Sequence, residues 1–143
     1  MRSRWARVWR GVNEMSGHMR EGKILFVCYP RCTTCQRARK WLDDRGIEYD
    51  FRDIKTQNPT ASEIAKWHRA SGLSLKKFFN TSGNSYKELG LKDRLPGLSE
   101  AEQIDLLATD GMLVKRPILV HGDFVLVGFK EGEWAESEKF IRD

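Results

Sequence analysis

Residues 24–35 read Ile-Leu-Phe-Val-Cys-Tyr-Pro-Arg-Cys-Thr-Thr-Cys, and the order of residue types in this stretch decides the fold. Ile24–Val27 is apolar at consecutive positions, the pattern of a strand buried on both faces. Pro30 ends that strand, and the pair Cys32 and Cys35 opens the next element. From there Cys35, Ala38, Trp41 and Leu42 recur on one helical face, while Gln36, Arg37, Arg39 and Lys40 take the others. A helix that begins at a cysteine pair points to thiol chemistry. The thiolate is the reactive species, and a helix N-terminus offers positive potential and unpaired N–H groups. Cys32, at the N-cap or first turn with Arg31 beside it, is the expected nucleophile. Cys35, one turn later and expected to be buried, is the expected resolving thiol. Exchange then runs through a mixed disulfide at Cys32 that Cys35 displaces.

Working outward, Arg45 and Gly46 are helix stop signals, and Ile47, Tyr49 and Phe51 alternate with Glu48, Asp50 and Arg52 as a second strand. A β-α-β unit of this kind implies a right-handed crossover and a parallel pair. Asn58-Pro59 then punctuates the chain. Thr60 with Glu63 forms a capping box for a helix to about Ser71, with Gly72 as its stop. Ser74 is placed to cap a short helix burying Leu75, Phe78 and Phe79; a looser stretch covers 80–84, and a turn or two surrounds Tyr86–Leu89. Ser99 with Glu102 is a second capping box, for a helix using Ile104, Leu107 and Ala108 and ending at Gly111. Ile118–Val120 and Phe124–Val127 flank Gly122-Asp123 as an antiparallel hairpin. A last helix over about Glu131–Ile141 carries Trp134 and Phe140. The order is β-α-β, a helical insertion over about 60–111, then β-β-α, with no linker inside residues 23–143.

The 143 residues have room for one ordinary core, and 40% apolar with 31% charged composition fits a soluble globular domain. No apolar run approaches the roughly 20 residues that span a bilayer. The net charge of +5 is unevenly placed: residues 1–23 hold six basic residues against two acidic ones, a net +4, which leaves about +1 for the remaining 120. A near-neutral domain argues against direct nucleic-acid binding, which demands a basic footprint. Within 1–22, Trp5, Val8, Trp9 and Val12 recur at helical spacing among arginines. One reading is a basic amphipathic helix for a membrane surface or a transit peptide. The other, which we expect, is a disordered or non-native extension, with Met15 or Met19 the natural start. Nothing resembles a secretory signal.

Three cysteines within eight residues do not resemble a secreted disulfide framework. Both members of the pair could be passive core cysteines, but strand, pair and helix fall in the order that chemistry requires. A zinc site needs four ligands, and His18, His68 and His121 show no ligand spacing to the cysteines. No metal is expected. Cys28, inside the strand, reads as structural. Pro117, after Lys115-Arg116, is tolerated as a first strand residue.

Four phrases carry a resemblance: Cys32-Thr33-Thr34-Cys35, residues 75–81 (Leu-Lys-Lys-Phe-Phe-Asn-Thr), residues 86–91 (Tyr-Lys-Glu-Leu-Gly-Leu) and residues 111–117 (Gly-Met-Leu-Val-Lys-Arg-Pro). Together, from about Lys23 to Phe140, they resemble the arsenate reductase-like (ArsC/Spx) family. The resemblance implies an α/β thioredoxin-like fold with a four-stranded mixed sheet and a helical insertion. It implies a cis-proline at Pro117 facing Cys32, and Arg116 directed at the same pocket. Members divide into glutaredoxin-linked arsenate reductases, which hold the oxyanion with three arginines, and Spx-type transcription adaptors, which bind the RNA polymerase α subunit. Carried across, Cys32 falls on the catalytic cysteine and Arg116 on one arginine. The second arginine position falls on Asn80, the third within Val127-Gly128-Phe129, and Cys35 stands where the reductases have serine. One arginine is a weak cradle for a tetrahedral oxyanion.

The expectation is therefore a cytoplasmic, monomeric thiol–disulfide oxidoreductase with Cys32, Cys35 and Arg116 as catalytic residues. Arg31, Thr33, Asn80 and Pro117 are the expected pocket, although Asn80 and Thr81 could equally just end a helix. No cofactor is bound; glutathione, glutaredoxin or thioredoxin supplies electrons. The alternative is a redox-sensing adaptor for the RNA polymerase α subunit, and arsenate reduction stands third.

Overall fold

A four-stranded sheet in the order β2-β1-β3-β4 organises the molecule, seen in a computed structural model that describes residues 23–142. The amphipathic spacing of Trp5 to Val12, and the reading of 1–22 as an extension, lie outside the described residues. Strand β1 (Ile24–Cys28) pairs in parallel with β2 (Asp50–Asp53) and antiparallel with β3 (Ile118–His121), which pairs antiparallel with β4 (Phe124–Val127). The sheet is thus mixed and thioredoxin-like, as the element order implies. In the β3–β4 hairpin His121 faces Phe124 across a two-residue loop whose first residue, Gly122, takes φ +63°. Glycine tolerates that conformation without a Cβ clash.

Helix α1 (Thr33–Asp44) buries Cys35, Ala38, Trp41 and Leu42, the face read from the periodicity. Its end explains why β2 begins three residues later than the alternation from Ile47 suggests. Gly46, at φ +66°, donates its N–H to Asp43, and Ile47 donates to Leu42, a Schellman closure. The Ile47 amide is taken up by the helix cap, so pairing with β1 starts at Asp50.

The insertion comprises α2 (Ala61–Ser71), α3 (Asn84–Glu88), α4 (Leu91–Arg94) and α5 (Glu100–Leu107), with 3₁₀ turns at Leu75–Phe78, Leu95–Gly97 and Gly111–Leu113. Both capping boxes form in full: the Thr60 and Ser99 hydroxyls accept from Glu63 and Glu102, whose carboxylates accept the cap N–H groups. Ser74 sits at the N-cap of its turn without a side-chain cap bond. Turn α4 lies beyond the turn expected around Tyr86–Leu89, and α5 stops at Leu107, before Gly111. Gly111 instead packs against β2's exit, where a Cβ would collide with the Ile54 carbonyl oxygen. Its role is close approach of two backbones.

The C-terminal segment also differs from expectation. It forms two short helices, α6 (Glu131–Glu136) and α7 (Glu138–Arg142), divided where the Ser137 N–H is shared between the Glu133 and Trp134 carbonyls. Trp134 and Ile141 are buried, and Phe140 is 52% exposed. At 100° per residue, position 141 lies about 20° from the Trp134 direction and position 140 about 120° away. Phe140 instead stacks on Phe124 at 5.3 Å.

Alternation along the strands divides the core in two. Val27, Ile118, Val120 and Val125 face the insertion, packing with Ile64, Phe78 and Leu107 among others. Ile24, Phe26, Cys28, Leu119 and Leu126 face α1 and the C-terminal helices. Among the described residues no helix is long and apolar enough to cross a membrane.

Candidate thiol site

Cys32 is the N-cap of α1, with φ −83° and ψ 124°, and its sulfur makes no cap hydrogen bond. The turn before it is fixed from both sides. The Cys32 N–H donates to the Tyr29 carbonyl at 3.0 Å, and Gln36 donates from its side chain to the Pro30 carbonyl at 2.9 Å and from its backbone to Cys32 at 3.0 Å. These bonds hold a part-exposed sulfur at the positive end of a helix of 12 residues, where a developing negative charge is favoured.

Cys35, one turn inward, is fully buried. Its sulfur accepts the Tyr29 N–H at 3.3 Å. The Cys28 thiol, hydrogen-bonded to it, and burial push the Cys35 thiol well above the usual cysteine range; the Tyr29 N–H and the Cys32 thiol oppose this without cancelling it. Cys35 is accordingly held as a neutral thiol behind Cys32. All three cysteines are unpaired.

Arg116 and Pro117 approach from the start of β3. The Arg116–Pro117 peptide is cis, and Pro117 is buried with its carbonyl accepting from Gly128 at 2.8 Å. Arg116 places its guanidinium 5.5 Å from the Tyr29 ring centroid, and its Nη1 donates to the Met112 and Val114 carbonyls at 3.3 Å each. Its Nε is buried without a partner among the described residues. Asn80 reaches the same Met112 carbonyl with its side chain at 3.5 Å, while its backbone N–H donates to Leu113 at 2.7 Å. A Phe79–Val114 bridge completes this seam between the insertion and the approach to Pro117. The Tyr29 turn thus joins the cysteines to Arg116, and Met112 joins Arg116 to Asn80. Arg31 and Thr33 are exposed on either side of Cys32.

Two participants were missed in the sequence. Tyr29 carries no role in the sequence pattern, yet its peptide N–H and its ring link Cys35 to Arg116. Cys28 reads as structural within the strand, yet it is buried in the same cluster as Cys35. The available signal was the two-residue period, which puts positions 24, 26 and 28 on one face. Reading β1 as apolar on both faces left it unused.

Sheet order, helical insertion, cis-proline and a thiol at the head of α1 define a thioredoxin-fold protein of the redox-active kind. The model of the ArsC family matches residues 28–137, and the chain belongs to this ArsC/Spx family. It is 49% identical over 114 residues to the protein YusI of Bacillus subtilis (strain 168), covering 80% of this chain and 97% of YusI. The crystal structure of an ArsC family related protein from Bacteroides fragilis superposes with a TM-score of 0.78 at 57% identity, covering 80% of this chain and 96% of that one. The regulatory protein MgsR of Bacillus subtilis (strain 168) is 27% identical over 119 residues, covering 83% of this chain and 93% of MgsR.

Proposed function

We propose that the protein is a thiol–disulfide oxidoreductase in which Cys32 is the nucleophile and Cys35 the resolving thiol. The observation that carries this reading is the asymmetry of the pair: a part-exposed sulfur at the N-cap, and a fully buried one a turn behind it held as a neutral thiol. Cys32 thiolate attacks one sulfur of a substrate disulfide and expels the other half as a thiolate. The Cys35 sulfur then attacks Cys32 in the mixed disulfide, its proton passing to the departing thiolate, and a Cys32–Cys35 disulfide remains. The substrate gains two electrons, and glutathione, glutaredoxin or thioredoxin returns them to the protein. Arg116 and Asn80 share the Met112 carbonyl, and Arg116 lies over the ring of Tyr29, whose turn leads into Cys32, so we assign them with Pro117 to the substrate pocket.

The test is disulfide reduction coupled to glutathione, with Cys32→Ser and Cys35→Ser compared with the parent chain. Cys32→Ser is expected to abolish turnover. Cys35→Ser is expected to accumulate a mixed disulfide at Cys32, seen as a mass increase that dithiothreitol removes. Parent-level turnover by Cys32→Ser rejects the reading.

The likeness to the regulatory protein MgsR favours a second reading, that of a regulator; the family resemblance implies that the same disulfide then switches a contact with the RNA polymerase α subunit. Pull-down with that subunit's C-terminal domain, by reduced and oxidised protein, separates the two; absence of binding in both states removes it. Arsenate reduction ranks third, because Arg116 turns Nη1 to backbone carbonyls and residues 127–129 bring no second arginine. It predicts arsenate-dependent glutathione oxidation lost in Arg116→Ala.

A further inference from the structure

The dithiol mechanism leaves one nucleophile without a role. Cys28 closes β1 on the face shared with Ile24 and Phe26, and that face packs on Cys35 and Ala38 of α1. It is 1% exposed, Cys35 is fully buried, and only Cys32 of the three meets solvent. Both polar ends of the Tyr29 residue are engaged by these sulfurs: its N–H donates to Cys35 at 3.3 Å, and the Cys28 thiol approaches its carbonyl at 3.9 Å. All three cysteines meet in this one cluster, Cys28 from the strand and Cys32 and Cys35 from the start of the helix. A core cysteine that merely fills space makes apolar contacts. This one shares the Tyr29 peptide groups with the sulfur that forms half of the proposed disulfide.

We propose that Cys28 is a third redox thiol, and that the Cys32–Cys35 disulfide passes inward to a buried Cys28–Cys35 disulfide that frees Cys32. The Cys28 sulfur attacks the Cys35 sulfur, the Cys32–Cys35 bond breaks as the Cys28–Cys35 bond forms, and the Cys28 proton passes to Cys32. No electron is gained or lost, so the chain keeps its two-electron oxidation while its exposed nucleophile is restored. Attack on Cys35 expels Cys32 as the leaving sulfur, and the helix N-cap is the position of the three where the negative charge that develops before protonation is best supported. In the shifted form Cys35 is no longer free to resolve, so when the Cys32 thiolate attacks a second disulfide and expels one half as a thiolate, the half bonded to Cys32 stays attached. The first oxidation would thus convert the site from one that exchanges disulfides to one that retains the half it takes from a second disulfide, a glutathionyl group when that disulfide is oxidised glutathione.

The inference rests on the dithiol reading, and its test separates the two. The full-length chain is oxidised with oxidised glutathione, quenched in acid at successive times and alkylated with N-ethylmaleimide; peptide mass spectrometry then maps the bridges. The expected result is a Cys28–Cys35 bridge with Cys32 alkylated or glutathionylated, growing as the Cys32–Cys35 bridge declines. In Cys28→Ala that species is lost, and the oxidised chain holds only the Cys32–Cys35 bridge. A parent chain that keeps the Cys32–Cys35 bridge at all times, with Cys28 alkylated, overturns the relay and leaves the dithiol reading standing. A chain that forms no bridge involving Cys32 overturns both.

Discussion

The two faces of the sheet are built by different means. Toward α1 the core centres on one aromatic group: fully buried Trp134 meets Trp41 edge-on at 5.5 Å, Phe129 at 4.9 Å and Phe26 at 6.5 Å, and the three cysteines belong to the same cluster. Toward the insertion Trp67, Phe78, Phe79 and Tyr86 are spread through a larger, mainly aliphatic core, and the elements on it are short. Only α2, at 11 residues, reaches three turns; α3 and α4 have five and four residues. Short helices are marginal by propensity, so tertiary packing and caps must hold them. The insertion accordingly shows two full capping boxes, the Asn58 side chain donating to Ala108 at 2.7 Å, and the Arg52–Glu63 ion pair at 2.8 Å. The comparison teaches that the thiols sit on the side whose rigidity comes from packing, while the opposite side is assembled from separable polar devices.

The strongest way to break this division is Trp134→Ala. The side chain is fully buried and its indole N–H donates to the Gly128 carbonyl at 3.1 Å. Its removal is expected to destabilise the whole domain by about 3–5 kcal/mol, the range for aromatic truncation in a packed core. Urea unfolding followed by far-ultraviolet circular dichroism measures it. Cys35 alkylation by a small maleimide should rise in parallel, because the same cluster covers that sulfur. A loss of stability below about 1 kcal/mol, far under that range, would show that this face is not held by its aromatic centre.

An intermediate effect is expected on the other face at Glu63. Burial alone would push this carboxyl up, but the Arg52 guanidinium and the Thr60 N–H and hydroxyl outweigh it and hold it below the usual carboxylate range. Both Arg52 Nη atoms donate to Glu63 at 2.8 Å. Glu63→Ala removes these charged hydrogen bonds and half of a capping box, about 2 kcal/mol together. Because the folded-state carboxyl is depressed, its contribution is fully present above the unfolded value of about 4.3. It is lost as pH falls through the folded-state value. The stability gap between parent and variant should therefore be constant near neutrality and close in acid. A gap that widens in acid would reverse the sign and reject the ion pair as its source.

Legibility in the sequence follows the same division. The α1 face was read from spacing alone, since one helix with period 3.6 and one strand-helix junction fix Cys32, Cys35, Ala38 and Trp41. The two capping boxes were legible for the same reason: they are local, four-residue signals. Turn α4, the true function of Gly111 and the Asn80–Met112–Arg116 seam were not, because each depends on segments far apart in sequence. Gly111 looked like a helix stop, and only the Ile54 carbonyl opposite it reveals a close approach. Cys28 was visible as a residue, but its neighbour was not: the strand face that turns toward Cys35 is set by pairing of β1 with β2 and β3.

The smallest effect expected is at Ser99, and it sharpens the comparison most. Its hydroxyl accepts from the Glu102 N–H at 3.1 Å while the Glu102 carboxylate accepts the Ser99 N–H at 2.8 Å. Ser99→Ala removes one half of the box and should cost about 1 kcal/mol. Helix α5 buries only Leu107 completely, so the loss has little packing to propagate through. Hydrogen exchange is therefore expected to quicken in α5 while β1 and α1 keep parent protection, and the rate of Cys32 alkylation should not change. If Ser99→Ala instead accelerates exchange in α1 or alters Cys32 reactivity, the faces are coupled. The seam from Phe79–Val114 through Met112 to Arg116 is then the route by which the insertion acts on the thiols.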